Sequence, residues 1–146
     1  MEILFIFMAI LAGMTMPVQS GINAQLQYHW AQSSILAATV SFAVGTLGLI
    51  AVLLIMRIPL PALSGKTAVW HWMGGLLGAY FVTVMAFLAP RLGAAALVGL
   101  ILAGQIGISL VLDHFGLIGY AQKSINWQRV LGIALVGGGV FLIRRF

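Results

Sequence analysis

No cysteine occurs in the sequence, which excludes disulfides, thiol chemistry and thiolate metal sites and leaves the redox compartment unreadable. Charge is nearly absent as well. Lys, Arg, Asp and Glu make up 6% of the 146 residues, against about 25% in a soluble domain. Such a chain cannot clothe a water-facing surface. Acids are scarcest: the two carboxylates are Glu2 and Asp113, and neither lies deep in an apolar run. A buried carboxylate is the usual proton or cation handle of a membrane carrier. Its absence argues against a central Glu binding a lipophilic cation and leaves a neutral or anionic solute. The chain also lacks a phosphate-binding Gly loop, a metal-ligand pair at helical spacing and a nucleophile beside a base. No enzyme, metal site or cofactor is expected.

What is present is mostly apolar. Hydrophobic residues are 62% of the chain, and a backbone crossing lipid must satisfy its own hydrogen bonds, so the expected class is an all-α integral membrane protein. The seven Lys and Arg stand one or two at a time at the ends of apolar runs. That placement suits anchors in the headgroups of a lipid bilayer, not a nucleic-acid patch. Trp70, Trp72 and Trp127 fall near the same ends, as in an aromatic belt. Trp30 sits beside a polar stretch and is a candidate solute contact. Glu2 stands where a signal peptide would be basic, and no small-x-small site follows, so the first apolar run is expected to be kept as structure.

A single transmembrane domain over residues 1–146 is expected, with five spans at about 3–26, 33–56, 69–89, 94–113 and 126–145. The first is the difficult one. The apolar run Ile3–Met16 would reach only about 21 Å at ~1.5 Å per residue, short of a core of about 30 Å. To span, the helix must continue through Pro17 and place Gln19 and Asn23 within the membrane. The alternative is a short helix ending at Pro17 in a thinned bilayer. A helical proline clashes with the carbonyl four residues back, here that of Gly13, so Gly13 and Pro17 are candidate kink or gate positions.

With five spans, one membrane face holds Arg57, Lys66, Lys123 and Arg129, and the other holds Arg91, Arg144 and Arg145. Lys/Arg asymmetry sets orientation, and four against three is almost none. Copies are expected to insert both ways and pair antiparallel, which would complete a five-plus-five inverted repeat of the kind transporters use. Chance, or orientation imposed by a partner, would produce the same counts. Gly is 18 of the 146 residues, above a usual level of about 7%. The stretches "GGLLG" at 74–78 and "GGG" at 137–139 would let backbones approach closely in lipid.

Thr15, Gln19, Asn23 and Gln27 are four apart, on one face of an extended first helix, with Ser20 adjacent; Gln105, Ser109 and Asp113 repeat the spacing in the fourth. A buried carboxamide must find partners. Either the rows hold helices together, or Gln19, Asn23 and Gln105, with Thr15 and Ser109, contact a solute. Asp113 and His114 are candidates for coupling, with a capping or ion-pair role at the interface as the alternative. Hydroxyls of the second span, Ser41 included, are expected to bond their own backbone.

Four blocks, "PVQSGINAQL" (17–26), "SFAVGTLGL" (41–49), "LAPRLGAAALV" (88–98) and "AGQIGISLVLDHFGLIG" (103–119), resemble in order the signature blocks of the YdcZ-like family. These are small five-span proteins of bacterial inner membranes in the drug/metabolite transporter superfamily. The blocks fall on Pro17, Gln19, Gly21, Asn23, Pro90, Gly93, Gln105, Asp113 and Gly116. The resemblance implies a multi-pass inner-membrane location and a transporter class. Larger relatives export or exchange small molecules with two inverted halves, the small multidrug exporters work as antiparallel dimers, and the family itself has no settled substrate. The expected function is therefore alternating-access transport of a small polar solute by an antiparallel homodimer. Gln19, Asn23 and Gln105 would line a cavity, and Gly21 would join Gly13 and Pro17 in a gate. Half of a heterodimer with a paralogue, and a structural or regulatory membrane subunit, are the alternatives.

Overall fold

The computed structural model describes residues 2–61 and 67–146; Lys66 and the side chain of Arg144, both counted above, lie outside that description. All regular elements among the described residues are helical. The chain divides into two units, Met1–Arg91 and Leu92–Phe146.

In the first unit, α1 (Glu2–Leu26) runs unbroken through Pro17. At ~1.5 Å per residue it reaches about 37 Å, enough to cross the hydrocarbon core. Pro17 offers no N–H to the Gly13 carbonyl, and the hydroxyls on either side bond backwards. Thr15 Oγ1 donates to Ala12 O at 2.7 Å and Ser20 Oγ to Pro17 O at 2.9 Å. Beyond Leu26 the helix widens into a π turn, Gln27–Ala31. Gln32 then takes a left-handed backbone at φ 54°. Its N–H reaches Gln27 O at 2.8 Å and its side chain donates to Tyr28 O at 3.1 Å. Ser33 caps α2 (Ser34–Ile55) by accepting the Leu36 N–H. The end of α2 closes with Arg57 N–H on Leu54 O and Ile58 N–H on Leu53 O. This is a Schellman pattern, with Arg57 at φ 53° where glycine is usual. A 3₁₀ turn, Val69–Trp72, precedes α3 (Gly74–Leu92), which carries Pro90 in its last turn. At Gly78 the face of α3 lies against α2: a Cβ there would come within 3.2 Å of the Phe42 ring.

The second unit opens on the α3–α4 junction. Gly93 is the one residue between α3 and α4 (Ala94–Phe115), and it holds φ 77° and ψ 158°, a conformation essentially confined to glycine. α4 stops at Gly116 (φ 61°), and α5 (Trp127–Arg145) starts on Asn126, whose Oδ1 accepts the Arg129 N–H at 2.9 Å. The two helices pack tightly at Gly99, where a Cβ would lie 2.8 Å from Val140 Cγ2.

Four stretches are long and apolar enough to cross a membrane: Glu2–Ala31, Ser34–Ile55, Val69–Leu92 and Ala94–Phe115. Trp127–Ile143 is a shorter apolar helix. Large side chains such as Leu54, Leu76 and Leu135 stay exposed, as suits a surface solvated by lipid tails.

Candidate solute-binding site

Because α1 is continuous, Thr15, Gln19, Asn23 and Gln27 share one face of it. Three spaces adjoin that face in the first unit. A groove of about 520 Å³ is lined by Thr15, Gln19 and Asn23 of α1, by apolar neighbours, and by Ser41 of α2. A void of about 10 Å³ is lined by Gln19, Ser20 and Asn23 with Phe81, Val82 and Met85 of α3. An open recess of about 610 Å³ lies at the π-turn end and is lined by Gln25, Gln27, Tyr28 and Gln32 together with Pro90 and Arg91 from the end of α3.

Asn23 belongs to both the groove and the void. It is 3% exposed, and its Nδ2 makes no hydrogen bond. Gln27 Oε1, one turn further on, is also buried and without a partner. Leaving a buried polar group unmet costs about 1–3 kcal/mol, so a donor and an acceptor unmet on the same face mark a place where stability has been set aside. The void is about the smallest that holds one water. The groove has room for a solute.

Other expected residues are placed differently. Gln19 and Thr15 are exposed where they line the groove, while Trp30 is exposed and lines none of the three spaces. Gly13 and Gly21 would meet nothing within 4 Å of an added Cβ, so no close approach demands glycine at either. Gln105 and Ser109 are exposed on α4. Asp113 and His114 are engaged by the connector between α4 and α5 and by the first turn of α5. Asp113 Oδ2 pairs with Arg129 Nη1 at 3.3 Å, and its backbone oxygen accepts the Lys123 N–H at 2.7 Å. His114 Nδ1 accepts the Ile125 N–H at 3.2 Å, and its carbonyl accepts from Gln122 Nε2 at 3.2 Å. Ser41, Gln32, Tyr28 and Arg91 were not expected at a site. Arg91 was legible only as an anchor, and Gln27 only as the end of a row. Among the described residues no cluster of three metal-ligating side chains occurs.

A family model described as "Putative inner membrane exporter, YdcZ" matches residues 4–142. No curated protein and no solved structure matches the chain.

Proposed function

The chain belongs to the YdcZ family of inner-membrane exporters, as its four sequence blocks indicated, and from that premise we propose that it moves a small polar solute, neutral or anionic, by alternating access. It is a multi-pass protein of the bacterial inner membrane. The observation that carries the proposal is Asn23: a carboxamide in an apolar helix, almost fully buried, with its Nδ2 unbonded, at a residue that lines both the groove and the void. Glue between helices would be bonded. A group that receives a passing solute is free between turnovers. Gln19 and Thr15 line the same groove and extend the contact along α1.

In this reading the fifth helix also spans, Pro17 and its neighbours Gly13 and Gly21 give the gate its compliance, and two copies pair antiparallel as a five-plus-five inverted repeat. Exposed Gln105 and Ser109 among the apolar residues of α4 support the pairing. An amide is costly against hydrocarbon and is relieved when a second copy or a solute meets it. Asp113 and His114 are assigned to holding the α4–α5 junction, not to coupling, because their polar contacts are made with the connector and with Arg129 in the first turn of α5.

The test is a solute screen on proteoliposomes containing the reconstituted protein, followed by Asn23→Leu on the solute found. Loss of flux with intact assembly is expected. Wild-type flux from the Leu variant would return the row to structural duty and favour a non-transporting subunit.

A further inference from the structure

We infer that the recess at the π-turn end of α1 is an anion site for a small solute that carries a carboxylate or phosphate together with hydroxyl or amine donors. Arg91 would hold the anion. The inference deepens the transport reading and rests on it only in treating the ligand as cargo. The recess, at about 610 Å³, falls within the ~300–1,000 Å³ of ordinary ligand pockets.

The guanidinium of Arg91 is positioned before any ligand arrives. It lies 3.6 Å over the centroid of the Phe87 ring, and its Nη1 donates to Phe87 O. An arginine carries five N–H donors in a planar fork, so an edge suited to bidentate recognition of a carboxylate or phosphate is left over. No acid neutralises it within the first unit. The one carboxylate of that unit is Glu2, at the opposite end of α1, and the ion pair among the described residues is Asp113 with Arg129.

The amides around Arg91 are divided by their existing bonds. Gln32 Nε2 is used on Tyr28 O, which leaves its Oε1 to accept. His29 Nε2 meets Gln25 Oε1 at 3.0 Å; that oxygen only accepts, so the ring donates and the Gln25 NH₂ group stays available. Gln27 Oε1 is buried with no partner. The groups presented at the recess are therefore the Arg91 cation and the Gln25 amide donor, which suit an anion, and the Gln32 amide oxygen, which suits a hydroxyl or amine. A simple inorganic anion would leave the Gln32 oxygen unmet, and a neutral polyol would leave Arg91 unmet. A hydroxy acid, an amino acid or a phosphorylated polyol meets both. An anionic lipid headgroup of the glycerol phosphate type has the same chemistry, so the source of the anion needs its own arm in the test.

The experiment uses the full chain in phosphatidylcholine nanodiscs, titrated calorimetrically with glycerol 3-phosphate, glycerate, glycerol and inorganic phosphate. Saturable binding is expected for the two hydroxylated anions, tighter than for glycerol or inorganic phosphate. Arg91→Gln should weaken it about tenfold or more, and Arg91→Lys should recover part of it. Gln32→Leu should weaken the hydroxylated anions while leaving inorganic phosphate unchanged. In discs containing phosphatidylglycerol, competition that disappears in Arg91→Gln would assign the same anion site to the headgroup; undisturbed binding would assign it to the soluble solute. Absence of saturable anion binding in both kinds of disc, or binding indifferent to both Arg91 variants, overturns the inference. Because the readout is equilibrium binding, Asn23→Leu separates it from the transport reading: flux is lost there while glycerol 3-phosphate still binds.

Discussion

Asp113 and Arg129 meet through a carboxylate–guanidinium pair at 3.3 Å, with each side chain a little over a quarter exposed. The pair joins the last turns of α4 to the first turn of α5, and Arg129 Nη1 also reaches Lys123 O at 3.2 Å. Partial burial lifts such a pair above an exposed one. Asp113→Asn should therefore destabilise the protein by about 1–2 kcal/mol, read as a lower melting temperature in detergent. Exchange in proteoliposomes should persist at a comparable rate. Complete loss of exchange with unchanged melting would mean that the carboxylate couples transport.

Asn23→Leu should behave in the opposite way. The substitution removes a buried donor that has no partner, so stability should stay level or rise by about 1 kcal/mol, while flux disappears. A marked fall in melting temperature would show that the amide is bonded in the working protein and serves as glue.

Much of this was legible in the sequence where a single element decided the outcome. Continuation of α1 past Pro17 follows from bilayer thickness against run length, whatever the other helices do. The alignment of Gln19, Asn23 and Gln27 follows from helical periodicity alone. The sites that escaped notice need several elements at once. The recess takes Tyr28 from a π turn, Gln32 from a left-handed corner and Arg91 from the last turn of α3, and no local pattern brings these together. Nor does any distinguish a π turn from an α turn at Gln27–Ala31. The partner of Asp113 was ambiguous for a similar reason. Choosing Arg129 over Lys123 depends on the path of an irregular connector.

Gly99→Ala should be poorly tolerated despite the higher helix propensity of alanine, because its methyl would sit 2.8 Å from Val140 Cγ2. Overpacking of this kind costs about 1–3 kcal/mol. The double variant with Val140→Ala should recover most of the loss. Gly13→Ala, inside α1 and meeting nothing within 4 Å, should leave stability level or raise it by up to about 1 kcal/mol through helix propensity and serves as the control.

Orientation can be read with a single introduced thiol, since the chain has no cysteine. Leu60, exposed beyond the end of α2, is a suitable site. If copies insert both ways, Leu60→Cys in intact cells should react with an impermeant maleimide in about half of them. Uniform labelling, or none, would overturn the proposed dual topology in favour of a fixed orientation.

The backbone at Gly93 constrains its codon as well as its fold. Its φ of 77° and ψ of 158° lie where any side chain is strained, by about 1–3 kcal/mol. Every missense change at a glycine codon adds a side chain, so this codon has no conservative neighbour. In a saturation library selected for folded protein, position 93 should stand out as a column depleted across all substitutions, set among apolar lipid-facing positions that exchange freely.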